Sequence, residues 1–433
     1  MESIIRDIYN IILSNNNGNV ADYIPQLKHV NPELLGISFC STNGEVFQIG
    51  DTKNEFSIQS CSKPLNYCLA RQLNKDKINI HNHVGFEPSG RSFNEFVLNK
   101  NNKPHNPLIN SGAIMVASFL YPECEPSEQF ENVKHFYESL SGNIGKIGFD
   151  NSVFLSEKRH ADRNISLAYY MRENGSFYNN PTPNKLSEIL DLYFQCCSKT
   201  LNCEIASVIA ATLANKGTCP MSGKRVIESD IVKDCLSLMF ACGMYDFSGQ
   251  FAFEIGLPAK SGVSGCLMLV IPNLGGICIW SPRLDDMGNT VRGVDFCKHF
   301  VEKTDHQYHI FNNFDSVSNI DTQNKTVLLQ HLIQSASNGD IESIKNLQGK
   351  IDFNECDYDG RTALHLAAAE GRYEVVDFLV SHSNVNINVK DRWGNTPLHE
   401  VNKILNELHN EDNREYYLKI TKLLTNFEKK NNF

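Results

Sequence analysis

Ser60 and Lys63 stand three residues apart in Phe56-Ser57-Ile58-Gln59-Ser60-Cys61-Ser62-Lys63-Pro64, where a short apolar strand gives way to a helix. At helical spacing the two side chains share one face. Ser60 falls near the helix N-terminus, where free backbone N–H groups and the positive end of the dipole favour a developing negative oxygen. A serine hydroxyl attacks carbonyl carbon poorly unless a base takes its proton, and a lysine can be that base only when uncharged. An ordinary lysine titrates near ~10.4, so poising it at ~7–8 means disfavouring the cation by roughly 4 kcal/mol. Burial and a second cation would do so.

The segment Ala259-Lys260-Ser261-Gly262-Val263 offers that cation. It is a Lys-Ser/Thr-Gly triplet, the type that accompanies Ser-x-x-Lys in penicillin-recognising enzymes. Either motif alone is common by chance in a chain of 433 residues, but the two in this order, about two hundred residues apart, indicate a serine acyl-transfer site.

The surrounding pattern must position both motifs. Residues 34–40, the Asn43-Gly44 turn and residues 46–49 predict a hairpin, and residues 56–59 are expected to continue its sheet and deliver Ser60 to the edge. Residues 61–250 read as mostly helical. Leu186, Ile189, Leu190, Tyr193 and Phe194 fall on one face, and residues 204–215 and 228–241 carry similar stripes. Residues 265–271 and 277–280, joined through Pro272-Asn273, predict a second, buried hairpin. The pattern implies an α+β domain: one antiparallel sheet, helices packed on it and a helical lobe. Ser60 would line one wall of the cleft between the lobes and Lys260 the other.

Composition excludes several classes. The net charge of −10 is spread without a basic block, which argues against nucleic acid as a partner. No run of eighteen apolar residues appears, so no membrane span is expected. The start, Met1-Glu2-Ser3-Ile4-Ile5-Arg6-Asp7-Ile8, reads as an amphipathic helix and not as a leader, which points to a cytoplasmic protein. The fourteen cysteines form no Cys-x-x-Cys and no even frame, so free thiols in a reducing compartment are expected, with no zinc site and no cofactor. His81-Asn82-His83 resembles a metal pair but lacks a third ligand nearby, and Ser141-Gly142-Asn143 is assigned no role.

The C-terminal part repeats. Gly360-Arg361-Thr362-Ala363-Leu364-His365 returns as Gly394-Asn395-Thr396-Pro397-Leu398-His399, thirty-four residues later. That period with a Thr-Ala/Pro-Leu-His core is the ankyrin signature, a stack of helix pairs. Two good repeats, 357–390 and 391 onward, follow a degenerate one from about 326; a polar insert at 408–413 and a closing helix near 415–428 complete an all-α ankyrin repeat domain. The expected segments are 1–19, an N-terminal helix and polar loop; 20–302, a catalytic domain; 303–325, a linker; and 326–433, ankyrin repeats.

Long stretches carry a resemblance. They include Val20-Ala21-Asp22-Tyr23-Ile24-Pro25, Gln59-Ser60-Cys61-Ser62-Lys63-Pro64-Leu65, Lys103-Pro104-His105-Asn106-Pro107, Cys242-Gly243-Met244-Tyr245-Asp246-Phe247-Ser248-Gly249-Gln250 and Gly256-Leu257-Pro258-Ala259-Lys260-Ser261-Gly262-Val263. These are similar to the glutaminases, serine-dependent amidohydrolases of β-lactamase-like, penicillin-binding-protein-like fold. Animal members resemble this chain from about residue 20 to about 400, ankyrin segment included. The resemblance implies hydrolysis of L-glutamine to L-glutamate and ammonia through a glutamyl-serine ester, by a homodimer or homotetramer. Ser60 would be the nucleophile and Lys63 its base, with Lys260, Ser261 and Gly262 in support. Tyr245 matches the family's active-site tyrosine, a phenol expected to have a lowered pKa beside two lysines. The N–H groups of Ser60 and Val263 would form the oxyanion hole.

By motif position Tyr23, Gln59, Asn110, Glu157, Asn164, Tyr193, Tyr245 and Val263 match substrate-binding residues. Glu157 suits the α-ammonium, and the neutral donors suit the α-carboxylate and side-chain amide. Without the resemblance Tyr193 reads as core, Asn110 and Asn164 as loop or cap residues, and Glu157 as a solvated charge. The chain also departs from the family. Glu95 stands in the loop Gly90-Arg91-Ser92-Phe93-Asn94-Glu95-Phe96-Val97-Leu98-Asn99 where phosphate-responsive animal enzymes carry a lysine, a reversed charge at an anion-sensitive loop. A mitochondrial location would fit the family, but no leader is read. Two rival functions share the residues: a β-lactam- or peptide-directed hydrolase of the same fold, and an ankyrin scaffold, recruiting a protein partner, with a vestigial hydrolase.

Overall fold

The computed structural model describes residues 1–92, 94–309, 325–381, 384–407 and 411–431. Phe93 of the expected loop, residues 310–324 of the expected linker and residues 408–410 of the expected insert lie outside them. The chain divides into two compact units, Met1–Ile310 and Phe311–Phe433.

Among its described residues the first unit contains eight strands: β1 (Gly36–Ser41), β2 (Val46–Gly50), β3 (Phe56–Ser57), β4 (Gly148–Phe149), β5 (Lys199–Leu201), β6 (Ala259–Gly262), β7 (Cys266–Ile271) and β8 (Gly275–Trp280). Five of them form an antiparallel sheet in the order β2-β1-β8-β7-β6. Both predicted hairpins are present, and β8 pairs with β1 so that Ile37 faces Ile279. Alternation sorts the side chains onto two covered faces. Ile37, Leu267, Leu269, Ile277 and Ile279 pack with Ile5, Ile8 and Ile12 of the helix Glu2–Ile12 and with Phe296 and Phe300 of the helix Val291–Lys303. Cys266, Met268, Val270 and Cys278 pack on the other side with the helical lobe. The helix Cys203–Ala214 crosses this face, and Gly276 admits it: a Cβ there would lie 2.3 Å from the Ala211 nitrogen. Residues 1–19 belong to this unit. Fully buried Arg292 fastens them by donating to the carbonyls of Leu13 and Asn15 and to the Asn16 side chain.

One expectation is corrected. Residues 56–59 do not extend the main sheet; β3 belongs to a second, three-stranded sheet, β3-β5-β4, in which Phe56 pairs with Leu201. The Ile58 N–H continues that pairing to the Lys199 carbonyl at 2.8 Å. The strand then stops because Gln59 takes a left-handed φ of 50°. Phe56 still reaches the main sheet through its ring, which stacks on Trp280 at 5.1 Å.

Lys199 gives a stability prediction. It is fully buried, and its Nζ sits 3.9 Å above the Phe130 ring with no hydrogen-bond partner among the described residues. Burial holds its pKa down at about 8. The unfolded chain keeps the ordinary value near ~10.4, so folding carries a penalty that is complete below about pH 8 and vanishes as pH climbs past about 10.5. The penalty is about 3 kcal/mol, and the cation–π contact offsets up to about 2 kcal/mol of it. Lys199→Met is therefore expected to raise Tm by about 2–4 °C at neutral pH and to lose that advantage near pH ~10.5, measured by thermal unfolding. A variant no more stable than the parent at neutral pH contradicts this.

Among its described residues the second unit holds three helix pairs: Lys325–Asn338 with Ile341–Leu347, Ala363–Ala369 with Tyr373–Val380, and Pro397–Glu407 with Glu411–Asn431. The Thr-x-x-His core works as a cap. Thr362 meets His365 Nδ1 at 2.9 Å while His365 Nε2 reaches the Asn395 carbonyl at 3.2 Å, joining one repeat to the next. Thr396 and His399 repeat the contact at 2.7 Å. Leu332, Leu364, Val376, Leu379 and Ile420 form a common core.

Candidate active site

Ser60 lies in a 3-10 turn, Gln59–Cys61, that runs straight into the helix Ser62–Asn74 and leaves it partly exposed. Lys63 is in the first turn of that helix and is 1% exposed. Its Nζ donates to Asn110 Oδ1 at 2.7 Å, and Asn110 Nδ2 donates to Asn164 Oδ1 at 3.0 Å. Asn110 opens the helix Asn110–Ala117 and Asn164 lies in the helix Asp162–Glu173, so two helix starts meet at this lysine.

Tyr245 comes from a 3-10 turn, Tyr245–Phe247, and has a left-handed φ of 54°. Gln59 and Tyr245 are thus both non-glycine residues in a sparsely populated conformation, a strain that concentrates at functional sites. Ser248 secures the turn at Tyr245: its Oγ donates to the Tyr245 carbonyl at 2.6 Å and accepts from the Met244 N–H at 2.9 Å. The Tyr245 phenol lies beside the Ser60 side chain, and Lys260 Nζ stands 4.4 Å over its ring.

Strand β6 presents the Lys-Ser-Gly segment. Lys260 is fully buried, donates to the Ser261 carbonyl, and its own carbonyl accepts from Cys61 Sγ at 3.3 Å. The Ser261 N–H donates to the Gly243 carbonyl at 3.1 Å, holding the strand against the Tyr245 segment. A Cβ on Gly262 would lie 3.1 Å from the Ile58 carbonyl and 3.2 Å from Cys61 Sγ, so the missing side chain permits the approach of β6 to the Ser60 turn. Val263 follows in the tight turn, where its N–H donates to no backbone carbonyl among the described residues.

A carboxylate completes the cluster. Glu157, on the helix Asn151–Arg159, accepts from the Tyr23 hydroxyl at 2.7 Å and from Gln59 Nε2 at 3.1 Å. Tyr23 shows 44% of its surface to solvent, but its hydroxyl end turns inward to Glu157. Tyr193 is buried beside Phe194 yet also neighbours Glu157 and Tyr245, so it is both a core residue and a wall of the cluster.

The charges respond to this burial. Lys63 is held down to about 8 by desolvation, against which Cys197 and Glu157 work. Lys260 is held down to about 7, again by desolvation, and the Lys63 charge adds to the effect. Of the two causes expected for Lys63, burial is the larger, and the two lysine charges disfavour one another. A second correction concerns Tyr245. Its phenol is raised, not lowered, because desolvation outweighs the opposing influence of the neighbouring Ser60. Glu157 is also raised by burial, and its hydrogen bonds and Lys63 only partly oppose this. An arriving cation would relieve it.

Cys197 was missed. It lies four residues after Tyr193, on the same helix face, and neighbours Glu157 and Lys63 while burial pushes its thiol up to about 12. The spacing from Tyr193 was the available signal. His81 and His83 are engaged elsewhere, with the Tyr67 hydroxyl at 2.9 Å and the Ser176 carbonyl at 2.9 Å, and no group of three or more metal-ligating side chains occurs among the described residues. A cavity of about 560 Å³ opens at Tyr245 and is bordered by Gly90, Arg91, Ser92 and Glu95 of the expected loop.

Known proteins resemble this chain. The family model described as Glutaminase matches residues 18–311. The chain belongs to the glutaminase family. A model of ankyrin repeats in three copies matches residues 332–401 of this glutaminase-family chain. The mouse "Glutaminase liver isoform, mitochondrial" is 43% identical over 413 residues, covering 90% of this chain and 66% of the relative. "Putative glutaminase 2" of Caenorhabditis elegans is 44% identical over 92% of this chain and 66% of the relative. The chain therefore spans just under two thirds of the length of these animal glutaminases. A glutaminase of Nostoc sp. is 40% identical over 69% of this chain and 87% of its own. Among solved structures, a probable glutaminase, ybaS, superimposes with a TM-score of 0.66 at 30% identity, covering 72% of this chain and 98% of that one. Mglu in its tris and glutamate form gives 0.66 at 31% identity, covering 72% and 68%. The likeness extends to the β-lactamase-like α+β architecture of the first unit. No helix among the described residues is long and apolar enough to cross a membrane.

Proposed function

We propose that this chain hydrolyses L-glutamine to L-glutamate and ammonia through an ester on Ser60. The observation that carries the reading is the placement of Glu157, anchored by Tyr23 and Gln59 within reach of the Lys63 charge, next to the Ser60 turn. A free amino acid brings an ammonium that needs such a partner; a lactam or a peptide interior does not. A relative solved in its glutamate form supports the same ligand class.

In the proposed reaction Ser60 Oγ attacks the side-chain amide carbon while its proton passes to uncharged Lys63. Negative charge on the carbonyl oxygen is met by the N–H groups of Ser60 and Val263. The Tyr245 phenol, kept protonated by burial, relays a proton to the departing nitrogen and is reprotonated from Lys63. The C–N bond breaks, ammonia leaves, and the same groups in reverse roles activate water to cleave the ester. Asn110, Asn164 and Tyr193 orient the substrate, and Lys260, Ser261 and Gly262 hold β6 in place.

Ammonia release from L-glutamine and L-asparagine, each with and without phosphate, tests the proposal. Activity on L-glutamine is expected, and hydrolysis of a chromogenic lactam without ammonia release would favour the rival. Glu157→Gln is expected to lower kcat/KM for L-glutamine by about 10²-fold or more, largely through KM, as for loss of one member of a buried charge pair. Unchanged kinetics would remove Glu157 from substrate binding. We further assign the chain to a reducing compartment, the cytoplasm, because all fourteen cysteines are free. A homodimer or homotetramer and a protein partner at the ankyrin repeats complete the reading.

A further inference from the structure

A second cavity, of about 480 Å³, lies in the helical lobe and plays no part in the proposed reaction. Its walls are the far ends of helices that carry site residues. Leu73 and Asn74 end the helix begun by Ser62, Phe119 follows the helix begun by Asn110, and Ile189 lies one turn before Tyr193. Phe119, Phe177 and Ile189 are nearly fully buried and give the cavity an apolar, aromatic floor. The floor is fixed: Asn74 Nδ2 donates to the Phe119 carbonyl at 3.1 Å, and His83 packs at 5.7 Å from the Phe119 ring.

The rim differs in character. Lys77 and Glu123 both line the cavity and are both exposed. Nearby charges are matched, Lys75 by Glu228 and Lys185 by Glu188 at 3.0 Å. Lys77 and Glu123 form no ion pair among the described residues. One open cation and one open anion above an apolar aromatic floor are the complement of a zwitterion with an apolar tail.

We propose that this cavity binds a free amino acid with a large apolar or aromatic side chain. Its α-carboxylate meets Lys77, its α-ammonium meets Glu123, and its side chain enters between Phe119, Phe177 and Ile189. The cavity volume is within the range of small-molecule sites and exceeds what one such side chain needs. This site is separate from the one that would take glutamine, so the proposal stands or falls independently of the catalytic reading.

Isothermal titration of the full chain with L-phenylalanine tests it, with 3-phenylpropionate, phenethylamine and L-serine as the three truncated probes. Saturable binding of L-phenylalanine is expected, with 3-phenylpropionate and phenethylamine about three- to tenfold weaker because each lacks one charge, and L-serine at least tenfold weaker because it lacks the ring. Lys77→Ala and Glu123→Ala change exposed side chains and leave the core intact; each is expected to weaken L-phenylalanine by about three- to tenfold. The Lys77→Ala protein should also lose its preference for L-phenylalanine over phenethylamine. Absence of saturable binding, equal affinity for 3-phenylpropionate, or affinity unmoved by both substitutions would overturn the proposal.

Discussion

Ser60→Ala is expected to cut ammonia release from L-glutamine by about 10³-fold or more while KM moves little. In the proposed mechanism the hydroxyl is the atom that becomes bonded to the substrate, and no neighbouring group is placed to replace it. Cys61 adjoins it, but its Sγ is buried and directed to the Lys260 carbonyl at 3.3 Å. Because the Lys63–Asn110–Asn164 chain and the Glu157 cluster do not depend on the Ser60 hydroxyl, substrate should still bind. The measurement is an ammonia assay on folded variant protein beside the parent. A variant that releases ammonia at the parental rate is incompatible with the mechanism.

Lys63→Met is expected to lower turnover by about 10²–10⁴-fold, the range of a lost general base, and to alter the pH profile. In the proposed mechanism Lys63 must be uncharged to accept the serine proton, and burial holds its pKa down at about 8. The rate should therefore rise with pH and level off above about 8. The sign follows from the amine: below that value it is an ammonium and has no lone pair to offer. In Lys63→Met this acid limb should vanish. If the variant recovers its rate merely by raising pH to about 9, lysine positions the serine and does not take its proton.

The sequence carried much of the architecture, and its failures have physical causes. The Asn43-Gly44 turn and the apolar runs around Pro272-Asn273 mark both hairpins because turn chemistry and alternation are local properties. The Thr-Ala/Pro-Leu-His repeat is legible for the same reason: Thr362 and His365 cap one helix and bridge to the next repeat. The small sheet escapes because its strands are two or three residues long, too short to alternate, and its pairing of Phe56 with Leu201 spans most of the helical lobe. The left-handed backbone of Gln59 and Tyr245 leaves no mark in composition, since neither residue is glycine. Residue type also misleads about charge. Two lysines near a phenol suggest a depressed phenol pKa, yet Tyr245 is raised, because desolvation depends on packing that letters do not encode.

The central claim is that the hydroxyl at position 60 becomes acylated during turnover. Rapid acid quench of the protein mixed with excess L-glutamine, followed by peptide mass mapping, tests it most directly. The account predicts a glutamyl group on the peptide containing Ser60, formed with the first equivalent of ammonia and absent from the Ser60→Ala protein. First-turnover ammonia with that peptide unmodified, or a glutamyl group carried by another residue, would contradict it.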